Sequence, residues 1–353
     1  MSASWQRELR KNFTSISALA KYLELSDDQK DALLDLPFPF PLSVPRRLAE
    51  KMEKKSLSDP LFIQFVPLKL EKHQDESLSK DPVCDTQFRK GPKLLHKYFG
   101  RVLLLPTSAC AMHCRFCFRR SFPYAKGDDV GSTDVYLKQE LSYIENDTTV
   151  EEVILSGGDP LSLPDSVLVP LLKKIDQIEH VRCIRFHSRF IVGIPERITP
   201  ELLDCLRGLQ KQVWFTLHIN HAKEMDPDLK VALKSMQSIG IPILSQSVLL
   251  RKVNDSIDAL KDLFYVLIES GVMPYYLHAL DPVEGAGHFS VPDAKGYELI
   301  QKLKEQMPGY AVPQFVREIP YRSGKTAITS SLLCEDPESK DPDLVQIGSM
   351  RKA

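Results

Sequence analysis

The sequence predicts an α/β fold: a partial (β/α)6 TIM-like barrel with an N-terminal helical extension and a short C-terminal β-hairpin segment. Three observations predict it. Short apolar or β-branched runs recur at residues 102–105, 150–155, 181–186, 213–219, 241–250 and 274–280. Helical patterns fall between and after them, at 166–178, 200–209, 227–239, 256–269 and 292–306. Polar, chemically capable residues gather where the runs end. Strands alternating with helices build parallel βα units, and barrels of such units place their active sites at the strands' C-terminal ends. Six units suit a partial barrel better than a closed eight-stranded one.

The elements follow in order along the chain. Helical patterns at 15–23 and 27–34 lead into the proline-rich stretch 37–41, then a basic helix around 45–55. The segment 56–93 is mixed and interrupted by Asp-Pro and Val-Pro breakers. Residues 1–97 therefore read as an extension that packs on the barrel, with the barrel core over 98–309 and C-terminal strands with a short tail over 310–353. In the core, Thr199 before Pro200 and Glu201 marks a helix start. Gly240 and Gly271 stand where helices should stop. Residues 312–319 and 326–333 look like two strands joined by a turn at 320–325, and 335–353 form a polar tail.

Composition excludes several classes. Hydrophobic content of 43% and charged content of 26% are ordinary for a folded chain. A formal net charge of -1 gives no field for nucleic acid or an anionic membrane. No apolar run approaches the roughly 18 residues of a membrane span, and residues 1–11 lack the apolar segment of a signal peptide. A cytoplasmic protein without nucleic-acid or membrane partners is expected.

Cysteines carry the sharpest signal. Of the seven, Cys84, Cys183, Cys205 and Cys334 read as buried apolar thiols. Cys110, Cys114 and Cys117 instead cluster just after the first core strand, in Cys110-Ala-Met-His-Cys114-Arg-Phe-Cys117. A structural zinc site would want a second cysteine pair or further histidines, and only His113 lies nearby. A [4Fe–4S] cluster normally takes four cysteines, so three leave one iron open. An odd count in a long chain without a secretory signal disfavours a disulfide framework.

Lys325 is the second signal. Ser323-Gly324-Lys325-Thr326 mimics the end of a phosphate-binding loop, but that motif requires glycine where Ile319 stands. A lysine in such a turn can instead form a Schiff base with pyridoxal phosphate.

Together these motifs resemble the lysine 2,3-aminomutases, radical S-adenosylmethionine enzymes that use pyridoxal phosphate, and most of all the short branch that makes (R)-β-lysine for elongation factor P. The resemblance runs in one register from Tyr98 to Ser330. It rests on Tyr98-Phe-Gly-Arg101, the triad with Arg119-Arg120, Leu155-Ser-Gly-Gly-Asp-Pro-Leu161, Gln246-Ser-Val-Leu-Leu-Arg251, Asp281 with Gly287-His288-Phe289, and Gly324-Lys325. It implies an isomerase with a [4Fe–4S] cluster on Cys110, Cys114 and Cys117. Ser156, Gly157, Gly158, Asp159, His218 and Gln246 would contact S-adenosylmethionine, the two glycines by letting backbone approach closely. Lys325 would hold pyridoxal phosphate, with Tyr98, Arg101 and Lys97 at its ring or phosphate. Lys97 stands where the family commonly has arginine, exchanging a fixed fork for a point charge.

For L-lysine as substrate, the resemblance places Arg119 on the carboxylate and Asp281 with Glu318 around the distal ammonium. Glu318 replaces the aspartate of the fermentative enzymes. Two acids in one pocket call for a cationic ligand; another basic amino acid such as arginine is the alternative substrate, and a non-catalytic zinc-binding module the alternative class. Implied partners are an electron donor such as flavodoxin and, functionally, elongation factor P with its β-lysine ligase. The larger aminomutases assemble as tetramers through a C-terminal zinc-binding extension. Twenty residues follow Leu333 here without a cysteine cluster, so no structural zinc and a monomer or dimer are expected.

Overall fold

The computed structural model describes residues 4–34, 40–73, 75–124 and 137–335. Most of the proline-rich stretch, the tail beyond residue 335 and the side chain of Cys334 lie outside the described residues.

One sheet organises the chain. Its strands are β1 (Arg89–Gly91), β2 (Leu94–Tyr98), β3 (Arg101–Leu104), β4 (Glu152–Leu155), β5 (Cys183–Ser188), β6 (Gln212–His218), β7 (Ile243–Val248), β8 (Met273–His278), β9 (Gln314–Arg317) and β10 (Thr326–Ala327). They lie side by side in sequence order. Strands β3 to β9 are parallel, while β1 and β2 at one end and β10 at the other pair antiparallel. Helices Asp165–Asp176, Pro200–Arg207, Pro227–Gln237, Ile257–Glu269 and Asp293–Gln306 fill the crossovers. Three of their starts are set by side chains that accept the first free amides, Thr199 from Leu202, Asp226 from Leu229 and Ser256 from Ala259, and the other two follow Pro164 and Pro292.

Three expectations are corrected. The parallel run has a seventh member, because the helix Asp293–Gln306 carries the chain back to lay β9 beside β8. The extension contributes a hairpin, β1–β2, that its sequence does not announce: Gly91-Pro92 and interleaved Arg and Lys residues obscure its alternation. Of 326–333, only Thr326–Ala327 is strand, and Ser330–Glu335 is helix. Thr329 supplies that helix's cap, its hydroxyl accepting from Leu332 N at 3.4 Å and its carbonyl from Leu333 N at 3.1 Å. The sheet thus runs across both boundaries expected near residues 97 and 310.

Alternation on the strands separates core from site. On β5, Ile184 and Phe186 join Leu168, Leu171 and Leu172 of the covering helix in the main apolar core. Each such fully buried side chain contributes roughly 1.5–3 kcal/mol. Arg185 and His187 take the opposite face, where Arg185 Nη2 bonds Glu152 Oε2 of β4 at 2.8 Å. The sheet does not close through backbone pairing, yet its curl brings the ends together: Tyr98 of β2 donates to Glu318 Oε1, just beyond β9, at 2.6 Å. No helix among the described residues is long and apolar enough to cross a membrane.

Candidate active site

Seven parallel strands deliver their C-terminal ends to one face, and the sequence-predicted residues follow them. The cysteine loop leaves β3, Ser156–Asp159 leave β4, His218 and Gln246 end β6 and lie within β7, and Asp281 and Glu318 follow β8 and β9. Parallel register sets His218 beside Gln246, and Gln246 beside Tyr276.

The extension fastens the cysteine loop. Asn12 Nδ2 and Ser43 Oγ donate to Ala111 O at 2.6 and 3.0 Å. His113 N donates to Ser43 O at 3.0 Å and Arg115 N to Gln64 O at 2.8 Å. Glu71 accepts from Arg115 at 2.8 and 2.7 Å and from Arg120 at 2.6 Å, with the Arg115 and Glu71 side chains 0% exposed. Breaking one partner of such a buried pair costs about 3–5 kcal/mol.

Burial pushes all three thiols of the triad upward, Cys114 to about 11; neighbouring cysteines add to the shift of Cys110 and Cys114, while Arg119 and its neighbours oppose that of Cys117. Desolvated thiols of this kind become thiolates when a metal takes them. Among the described residues no three His, Cys, Asp or Glu side chains close on a single ion. Three cysteines free of disulfides are the soft donor set that a [4Fe–4S] cluster takes, one thiolate to an iron. Cys84, Cys183 and Cys205, expected to be buried, are half-buried and outside any disulfide.

The Ser156–Asp159 segment packs directly on that loop. A Cβ on Gly158 would stand 2.4 Å from Ala109 O, and one on Gly157, whose φ is +111°, 2.7 Å from Thr107 O. These glycines are dictated by the approach of two backbones. The Asp159 carboxylate ties β4 to the loop after β5, accepting from Leu161 N, Ser188 Oγ, Arg189 N and Phe190 N at 2.8–3.0 Å. Burial raises its pKa to about 6 against those bonds. His218 is held neutral, pushed well below its ordinary value by burial and then by Arg189.

The second half of the site surrounds Lys325. Thr326 pairs with Arg317 across β9–β10, so Lys325 lies opposite Glu318 and its amine contacts Glu318 Oε2. Lys97 Nζ reaches Glu318 Oε1 at 2.5 Å, beside the Tyr98 hydroxyl, and also donates to Val83 O at 2.5 Å. Arg101 stacks over the Tyr98 ring at 5.4 Å. Glu318, expected with Asp281 around a distal ammonium, gathers Lys97, Tyr98 and Lys325 on its two oxygens. Burial lowers the Lys325 amine to about 8, with Asp281 opposing, although 28% of the side chain still meets solvent. Burial raises Asp281, and Lys325 opposes that shift.

Asp85 is a site residue that no sequence motif marks. Its side chain is 6% exposed, and its Oδ2 accepts from Arg119 Nε at 3.0 Å and Nη2 at 2.7 Å. Arg119 Nη1 points to Ser156 Oγ at 3.5 Å. The Nε–Nη2 edge of Arg119, expected on a substrate carboxylate, is thus held by Asp85. Three cations, Lys97, Arg119 and Lys325, face three acids, Asp85, Asp281 and Glu318. Such an arrangement is suited to a ligand with separated charges, with an amine placed among them.

Comparison with known proteins gives the family. The pattern of the Radical SAM superfamily matches residues 104–264. The chain is 37% identical over 323 residues to the L-lysine 2,3-aminomutase of Haemophilus influenzae, covering 92% of this chain and 95% of that protein. It is 40% identical over 293 residues to the L-lysine 2,3-aminomutase of Escherichia coli, covering 83% and 84%. To that of Acetoanaerobium sticklandii it is 34% identical over 336 residues, covering 95% and 80%.

Proposed function

This chain belongs to the lysine 2,3-aminomutases of the radical S-adenosylmethionine superfamily, and from that premise we propose that it is the isomerase converting L-α-lysine to (R)-β-lysine. The observation that carries the reading is the placement of Arg119. It stands two residues from Cys117, and Asp85, which holds it at 2.7 Å, lies 3.7 Å from Lys97 Nζ, itself on Glu318 with Lys325, so radical generation and amine chemistry share one chamber.

Cys110, Cys114 and Cys117 would hold a [4Fe–4S] cluster, which when bound would supply an electron and an open iron for S-adenosylmethionine, the source of the radical. Lys325 would hold pyridoxal phosphate, which when bound would supply the π system that a 1,2-shift of an amino group needs. The chain's residues bind, orient and exclude water. His218 and Gln246 line the S-adenosylmethionine side as neutral groups, and Asp159 acts by holding the loop after β5. Arg119 offers its Nη1 side to the lysine carboxylate while Asp85 fixes the opposite edge. Asp281 takes the distal ammonium, and Glu318, braced by Lys97 and Tyr98, holds the Lys325 amine. Arg101 and Lys97 supply positive charge for the pyridoxal phosphate.

Two expected outcomes follow from the charges. Asp85→Asn leaves Arg119 without its fixing carboxylate among Lys97 and Lys325; kcat/KM for lysine is expected to fall about 10–100-fold, chiefly in KM, with iron content unchanged. An unaltered KM contradicts the assignment. Attachment of pyridoxal phosphate to the apoprotein requires the neutral Lys325 amine. Because that pKa is lowered to about 8, the attachment rate is expected to rise roughly tenfold per pH unit below this value and level off above it. Stopped-flow absorbance reads this profile, and a flat response from about pH 6 to 9 contradicts it.

On the resemblance to the short branch, a flavodoxin-like donor supplies the electron, and the product serves the ligase that modifies elongation factor P. Competition between lysine and arginine under anaerobic turnover tests the substrate: lysine is expected to dominate, and faster conversion of arginine overturns the assignment.

A further inference from the structure

Arg189 follows β5, and its guanidinium touches one of the three triad cysteines. Nη1 donates to Cys114 Sγ at 3.0 Å, while Nη2 donates to Gln64 Oε1 and Glu224 Oε2, both at 2.7 Å. The Arg189 side chain is 5% exposed and that of Glu224 0%. Rings of Phe65 and Phe116 lie 4.7 and 5.4 Å from the guanidinium carbon.

Its partners are themselves fixed. Glu224 Oε1 accepts from Asn220 N and His221 N, each at 3.0 Å. Gln64 Oε1 also accepts from Asn220 Nδ2 at 3.0 Å. Asp159 Oδ2 holds Arg189 N at 2.8 Å. The guanidinium is therefore preorganised against the sulfur by contacts from the N-terminal extension and from the loops after β4 and β6. Arg115 and Arg120, close by in sequence, direct donors to Glu71.

Resting on the cluster reading above, we infer that Arg189 is a positioning residue that sets the reduction potential of the iron–sulfur cluster through its hydrogen bond to Cys114. Reduction moves one electron from an external one-electron donor onto the cluster, taking [4Fe–4S]2+ to [4Fe–4S]+, with no bond broken. The added negative charge spreads onto the ligand sulfurs. A cation fixed on one of them, in a buried low-dielectric setting, favours the reduced state and raises the potential. Glu224 balances the guanidinium, which allows a cation to remain buried there.

The test is an anaerobic redox titration of the reconstituted protein, followed by electron paramagnetic resonance, for the parent, Arg189→Lys and Arg189→Gln, with iron measured in each. Both variants are expected to bind iron. Arg189→Gln should lose about tenfold in the reduction equilibrium, a shift of about 59 mV to more negative potential for one electron, and Arg189→Lys should lose less. An unchanged potential at parental iron content overturns the inference. Loss of iron from both variants also overturns it, by assigning Arg189 to holding the loop. A parent protein that binds no cluster fails the cluster reading itself, a result distinct from either.

Discussion

Replacing Cys114 with serine is expected to abolish iron–sulfur binding and to lower turnover at least about 10³-fold, because the radical chemistry belongs to the cofactor and not to the protein scaffold. A serine hydroxyl stays protonated and is a poor ligand for iron in this setting. The fold should survive. The loop is tied through Ala111 O, His113 N and the Arg115 side chain to the extension, and none of those ties involves the sulfur. Far-UV circular dichroism should therefore match the parent while the broad visible absorption disappears. A serine variant with full iron content and activity would remove the triad from the mechanism.

Lys325→Ala is expected to lose pyridoxal phosphate absorbance and at least about 10³-fold in activity while keeping its iron. The separation matters, since it assigns the two halves of the chamber to different cofactors. Glu318 remains partnered in this variant by Lys97 at 2.5 Å and Tyr98 at 2.6 Å, so no buried carboxylate is orphaned. Retained activity contradicts the role of Lys325. Simultaneous loss of iron would mean that the two halves are not structurally independent.

The division between what can and cannot be read from the sequence has a physical basis. The cysteine spacing, the Ser156–Asp159 turn and the capped helices are local patterns, so their chemistry shows within a few residues. Asp85 gains its meaning only from Arg119, 34 residues away, and lies in a breaker-rich segment with no periodicity. Arg189 gains its meaning from Cys114, 75 residues away. The β1–β2 hairpin is short, charged and broken by Gly91-Pro92. The helix Ser330–Glu335 does carry a local sign, Thr329 as its cap, but Ile328 and the leucines that follow resemble a strand equally well. Glu318 stands out in the sequence as an acid of the site, yet its engagement by Lys97, Tyr98 and Lys325 depends on the curl that joins β2 to the end of β9. That closure is made by side chains and leaves no pattern along the chain.

The most direct test of the central claim is anaerobic incubation of the reconstituted protein with L-lysine, S-adenosylmethionine, pyridoxal phosphate and a one-electron reductant, with chromatographic resolution of the β-lysine enantiomers. (R)-β-Lysine is expected, formed only when all of these components are present. An iron-loaded, pyridoxal-loaded protein that returns lysine unchanged would contradict it.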